Sequence, residues 1–177
     1  DVSTVYLKKG QYDESLKYLQ KVLFIRKKRN DILGVARVYA GIGLLYNNKS
    51  KYQLSMKNYL LALEYANKAN DDKTRYNIQN AMSSLLLDLK DYKKALLYSE
   101  QAIKFFERSN SKLTLCTMYV NNGNIYLGLK DTLNALKMYE KAKLICQETG
   151  NKLSLSKALN NIGSIKEAQN KTNDSEI

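Results

Sequence analysis

The stretch Gly43-Leu44-Leu45-Tyr46 decides the reading of this chain, because it returns at a fixed distance. Forty residues on stands Ser83-Ser84-Leu85-Leu86, then Gly123-Asn124-Ile125-Tyr126, then Gly163-Ser164-Ile165-Lys166. A small residue thus occupies positions 43, 83, 123 and 163 with no insertion or deletion. Fixed-period self-similarity of this size is the signature of a repeat architecture. A second set keeps the step: Ser15, Ser55, Ala95 and Ala135, then Leu19, Tyr59, Ser99 and Tyr139, then Val22, Ala62, Ala102 and Ala142. Tyr6 holds the place of Tyr46 and Tyr126, so the pattern begins inside a partial first repeat.

Each half-repeat has helical period, with apolar or small residues recurring at three and four. Tyr39, Ile42, Gly43 and Tyr46 share one face; after the polar break Asn47-Asn48-Lys49-Ser50, Ser55, Tyr59, Ala62 and Ala66 share the next. Small residues at the recurring contact points let two helices approach closely, and the tyrosines fill what remains. Such a helix pair cannot bury its apolar face alone, so it stacks on the next pair. The breaks recur as well: Arg29-Asn30-Asp31, Asn70-Asp71-Asp72, Ser109-Asn110-Ser111 and Thr149-Gly150-Asn151 between pairs, and Lys8-Lys9-Gly10-Gln11, Leu89-Lys90-Asp91 and Leu129-Lys130-Asp131 within them. These are residues suited to caps and tight turns, and Asp91 and Asp131 are placed to cap second helices.

Composition agrees. The 177 residues contain no Pro and 8 Gly, so long helices meet few breakers. The apolar fraction of 44% is enough for a core. No run of about 18 apolar residues is present, nor is a signal peptide visible. The start at Asp1 without Met suggests a piece or processed product of something longer. The net charge is +12, mostly Lys spread through every repeat, with the densest cluster at Arg26-Lys27-Lys28-Arg29. Such a balance suits nucleic acid, anionic membrane or acidic proteins, or simply a solvated surface. Without a His the commonest general base and metal ligand are missing. Cys116 and Cys146 lack C-x-x-C spacing and lie within apolar helical patterns. They read as small core hydrophobes, with a disulfide possible but not indicated, which favours a reducing compartment.

The small–aromatic–small–aromatic–small order of Gly43, Tyr46, Ser55, Tyr59 and Ala62, and again of Gly123, Tyr126, Ala135, Tyr139 and Ala142, resembles the tetratricopeptide repeat family. The common repeat is about 34 residues; this one has 40 and lacks the usual Pro near its end. Both departures resemble the longer-helix branch, which includes bacterial peptide-sensing regulators, sensor kinases and animal scaffolds. HEAT-type arrays have similar length but lack the Gly–Tyr pairing. The resemblance implies an all-α fold, a right-handed α-solenoid of stacked antiparallel helix pairs. The expected organisation is one array: a partial repeat over 1–31, repeats over 32–72, 73–110 and 111–150, and a partial or capping repeat over 151–177.

The resemblance also implies that first helices line a concave groove. Groove positions would be Arg37, Ala40, Leu44 and Asn47 in repeat two; Asn77, Asn80, Ser84 and Leu87 in repeat three; Thr117, Val120, Asn121 and Asn124 in repeat four; Lys157, Asn160, Asn161 and Ser164 in repeat five. Asn offers both a donor and an acceptor to an extended peptide backbone, and Arg37 and Lys157 could meet carboxylates. The expectation is a protein- or peptide-binding scaffold, the sensory or interaction region of a larger signalling or regulatory protein. The alternative is a basic-surface binder of nucleic acid or another polyanion. No catalytic set, P-loop or dinucleotide fingerprint appears, and no cofactor or metal is expected. A cytoplasmic location is expected, with the periplasmic sensor region of a membrane-anchored parent as the alternative. Apolar stacking faces at both ends leave end-to-end self-association open.

Overall fold

The computed structural model describes residues 2–174, of which the side chains of 2, 4, 8 and 171–174 are left aside. The described residues are helical, in the order α1 (Val2–Lys8), α2 (Tyr12–Lys28), α3 (Ile32–Asn48), α4 (Tyr52–Lys68), α5 (Asp72–Asp88), α6 (Tyr92–Arg108), α7 (Lys112–Gly128), α8 (Thr132–Thr149) and α9 (Lys152–Asp174). They group into two units, Asp1–Leu85 and Leu86–Ile177, with the division inside α5. No described helix is long and apolar enough to cross a membrane.

The forty-residue period divides into two equal halves in the backbone. Residues 10, 30, 50, 70, 90, 110, 130 and 150 all have positive φ, between 50° and 71°. Each ends a helix. The amide after it bonds the carbonyl five residues back: Asp31 to Arg26, Lys51 to Tyr46, Asp71 to Ala66, Asp91 to Leu86, Ser111 to Phe106, Asp131 to Tyr126 and Asn151 to Cys146. This is the Schellman arrangement, which satisfies carbonyls a helix end would otherwise orphan. Gly10 and Gly150 adopt the left-handed conformation freely, and Asn30, Asn70 and Asn110 tolerate it. Ser50, Lys90 and Lys130 hold it against their preference, so the turn geometry overrides the residue there.

The next helix starts immediately. Asp31 accepts the Gly34 amide at 2.8 Å, Asp71 that of Thr74 at 2.7 Å, Asn151 that of Ser154 at 3.1 Å, Asp91 that of Lys94 at 3.3 Å and Asp131 that of Asn134 at 3.0 Å. The expected caps Asp91 and Asp131 are therefore in place. The Gly34 amide at Asp31, and side-chain hydrogen bonds from Thr74, Lys94 and Asn134 together with the cap amides at Asp71, Asp91 and Asp131, hold these carboxyls below their usual range.

In the first unit, Leu19, Val38, Ile42 and Leu45 form a buried cluster between α2 and α3, with Leu7, Leu16, Val22, Tyr39 and Tyr46 against it. The hairpin of α3 and α4 closes on Gly43: a Cβ there would lie 2.7 Å from the Tyr59 ring, and the Ser55 hydroxyl donates to the Gly43 carbonyl at 2.8 Å. Gly123 and Tyr139 repeat the contact between α7 and α8, where a Cβ would lie 2.5 Å from the ring. Tyr92 presses on Gly128 in the same way. Gly163 differs. Nothing lies within 4 Å of where its Cβ would be, because α9 is followed by no further described helix that could supply a Tyr.

Ser99 occupies the register of Tyr59 and Tyr139, and the space is filled from the facing helix. Buried Asn122 donates its amide to the Ser99 hydroxyl at 3.0 Å. The two cysteines lie in the core as expected, and the bond left open by the sequence is present. Cys116, early in α7, and Cys146, at the end of α8, form a disulfide with Cα atoms 5.2 Å apart. The sequence separation of 30 hid the pair, because only the antiparallel hairpin brings these positions together. In the α3–α4 hairpin the same registers hold Ala36 and Ala66, both fully buried, so the cysteines stand where that hairpin uses two small residues.

Two outcomes follow. Gly123→Ala should overpack the hairpin and lower stability by about 1–3 kcal/mol, whereas Gly163→Ala should raise it by about 0.5–1 kcal/mol, since only helix propensity changes there; urea denaturation of both variants checks the pair. Mass mapping without reductant should recover the Cys116–Cys146 crosslink, and reduction should lower stability by up to ~3–4 kcal/mol, the chain-entropy figure for a loop of this length.

Candidate functional site

The groove positions named from the sequence fall into two chemically different surfaces, one in each unit. In the first unit they line open space. A cavity of about 400 Å³ is bounded by Arg37, Ala40, Gly41 and Leu44 of α3, Tyr59 of α4, and Lys73, Thr74, Asn77, Ile78 and Ala81 of α5. Four expected groove residues, Arg37, Ala40, Leu44 and Asn77, meet here. A second cavity of about 530 Å³ shares Arg37, Gly41 and Leu44 and continues over Leu7, Leu19, Val22 and Val38. Both floors are apolar; Gly41 borders the two cavities, and Ala40 and Ala81 help keep the first one open. Leu44 is 45% exposed, although it stands in a helix with a buried face.

The rim carries cations. Arg26 pairs with Asp31, whose other oxygen caps α3. Arg37 and Lys73 are exposed, and neither makes an ion pair among the described residues. Arg37 does lie in the field of the Asp31 and Asp71 carboxylates and helps keep both ionised. Those carboxylates already accept cap amides, so the guanidinium donors of Arg37 are left for another acceptor. Asn80, Ser84 and Leu87 of α5 are half-buried, and Asn47 is half-buried near the end of α3.

In the second unit the expected groove residues bond one another. The Asn124 carbonyl oxygen accepts from the Tyr139 hydroxyl at 2.6 Å and from the Asn161 amide at 3.0 Å. Thr117 and Ser154 hydroxyls are 3.3 Å apart. α7, α8 and α9 are thus tied along the line where repeats four and five would meet a ligand. Asn121 is half-buried; Lys157, Asn160 and Ser164 are exposed on α9. Val120 does not face a groove: it is 3% exposed, within the core. Burial pushes the Tyr139 phenol up to about 12, against the Asn161 hydrogen bond. Burial and the Glu100 carboxylate likewise raise Tyr126 to about 12. Tyr119 is raised further by burial and its hydrogen bond to Glu107.

No group of three or more potential metal-ligating side chains occurs among the described residues. Profiles of the tetratricopeptide repeat match residues 2–28, 36–68 and 76–108, and a second such profile matches 114–177. The chain belongs to the tetratricopeptide repeat family. No curated protein matches the sequence. Among solved structures it is similar to BtubC from P. vanneervenii, at 20% identity and a TM-score of 0.84, covering 98% of this chain and 72% of that one. It is similar to aspartyl phosphate phosphatase F from Bacillus subtilis, at 18% identity and 0.84, covering 96% and 46%. A putative kinesin light chain repeat protein of Podospora anserina matches at 12% identity and 0.76, covering 99% and 86%. These likenesses show the fold: an all-helical, tetratricopeptide-like solenoid.

The sequence pattern did not expose the Asn124 hub. Its only signal is the recurrence of Asn at 124 and 161 in facing first helices, which is easily lost in an Asn-rich chain. Asn124→Ala should leave the Tyr139 hydroxyl and the Asn161 amide unpaired and cost about 1–3 kcal/mol, while exposed Asn160→Ala changes stability by no more than about 0.5 kcal/mol; thermal melts of the two variants make the comparison.

Proposed function

We propose that this chain is a peptide- or protein-binding scaffold whose ligand surface lies on α3 and α5 of the first unit. The observation that carries it is the cavity lined by Arg37, Leu44, Lys73, Asn77 and Ile78, with an apolar floor, a basic rim and one amide side chain. A ligand site of this kind is concave, mostly apolar and edged with a few polar groups. The chemistry selects an extended segment with an aliphatic side chain for the floor and a carboxylate for Arg37 and Lys73. Asn77 can bond the segment's backbone. Affinity near micromolar, about 8 kcal/mol, is ordinary for such a surface. Lys157, Asn160 and Ser164 on α9 are the second unit's remaining accessible groove positions, while Asn124 serves the hydrogen-bonded hub.

The role is that of an interaction region within a larger signalling or regulatory protein. The disulfide favours an oxidising compartment, so the periplasmic or otherwise extracytoplasmic placement is preferred to the cytoplasmic one. Binding of nucleic acid through the +12 charge is the competing reading. It wants a row of exposed aromatic platforms between cations, whereas among the described residues Phe24 alone of the aromatics is exposed, and Tyr59, Tyr119 and Tyr139 are buried.

Selection of a random-peptide display library on the full chain, followed by binding of the recovered peptides to variants, tests the reading. Leu44→Glu and Arg37→Glu should each weaken the recovered peptides at least tenfold, and affinity should fall only modestly with salt, as expected for one or two exposed ion pairs. Tight oligonucleotide binding that falls steeply with salt and ignores both substitutions would sink it.

A further inference from the structure

The face of α2 turned away from α3 carries an exposed aromatic, Phe24, at the register where the other second helices have Glu64, Lys104 and Leu144. Lys17, Gln20, Lys21, Phe24 and Lys28 stand at spacings of three and four, so they form one stripe along the helix. All are exposed, and Phe24 is 70% exposed with Ile25 beside it at 46%. Lys17, Gln20, Lys21, Phe24 and Ile25 line one shallow depression. Singly exposed apolar residues are ordinary, but an aromatic and an aliphatic side by side inside a ring of lysines are not a solvated face.

Charge is equally one-sided. From residue 17 to 29 α2 and its cap carry six cations and no acid: Lys17, Lys21, Arg26, Lys27, Lys28 and Arg29. At the registers of Gln20, Phe24, Lys27 and Lys28 other second helices carry Glu100 and Glu140, Glu64, Glu107 and Glu148, while Lys57, Lys137 and Lys141 repeat Lys17 and Lys21. Cations at 26–29 have a local reason, since a helix C-terminus favours positive charge, and Arg26 is held by Asp31 and Lys27 by Tyr39. Lys17 and Lys21 lie mid-helix and have no such reason. Two acids, Asp13 and Glu14, stand in the first turn of α2; Asp13 feels Lys17 but is bonded to Lys49.

We propose that this face of α2 docks on an anionic lipid surface, with Phe24 and Ile25 entering the headgroup boundary and Lys17, Lys21 and Lys28 meeting lipid phosphates. A basic stripe around exposed aromatic and aliphatic groups is the chemistry of an interfacial helix. A second copy of the chain is disfavoured as occupant, because pairing like faces would bring lysines together. An acidic protein would meet the charge but finds only a shallow depression for its side chains. The face is distinct from the α3–α5 cavity, so docking leaves that surface accessible.

The chain contains no Trp, so Phe24→Trp installs a single reporter at the centre of the patch. With extruded vesicles of phosphatidylcholine containing phosphatidylglycerol, its emission should shift to the blue and be quenched by brominated acyl chains; with phosphatidylcholine alone it should not. In cosedimentation of the full chain, Lys17→Glu with Lys21→Glu should weaken binding at least about tenfold, because each lysine near an anionic surface contributes roughly fivefold. Phe24→Ser should weaken it while leaving the melting temperature unchanged. Three results would overturn the proposal: no binding to anionic vesicles, binding that Phe24→Ser leaves intact, or a blue shift that rises with protein concentration in the absence of lipid.

Discussion

A left-handed residue every twenty positions is the constraint on which the rest depends. At each of these points the chain stops one helix, satisfies its last carbonyls and reverses direction. Helices of 17 residues follow one another from α2 to α7 as a result. Equal lengths and equal turns bring equivalent residues to equivalent heights, so one side-chain contact can be used twice. Gly43 against Tyr59 and Gly123 against Tyr139 are that contact. Where the ring is missing, at Ser99, a buried Asn122 amide restores contact through a hydrogen bond.

The two units solve the same geometric problem with different chemistry along their first helices. In the first unit Gly41, Ala40 and Ala81 leave apolar hollows beside Leu44. In the second unit Val120 fills the register of Ala40, and the polar residues at the neighbouring registers bond across helices, Asn124 to Tyr139 and Asn161, Thr117 to Ser154. Unsatisfied donors and acceptors are what a peptide backbone recognises, and bonded ones are not available without cost. This asymmetry is why the proposed ligand surface lies in the first unit although the groove residues named from sequence were spread across both.

The forty-residue step, the helix pairs, the caps at Asp91 and Asp131 and the small–Tyr contacts were all legible in the chain, because each depends on local spacing. Arg37, Leu44 and Asn77 as open surface residues were legible for the same reason. Val120, the Asn124 hub and the Cys116–Cys146 bond were not. Each depends on what a neighbouring helix presents, and one sequence position says little about its partner 15 to 37 residues away.

By itself, then, the sequence determined the architecture: a helical repeat with no Pro to interrupt it, polar turns at a constant interval and small residues where helices must touch. Tertiary structure alone decided which of many similar Asn, Tyr and Lys residues are spent inside the fold and which remain for a partner. The physical reason is that periodicity sets which face a residue occupies, whereas its free hydrogen-bonding capacity is set by the particular atoms packed against that face.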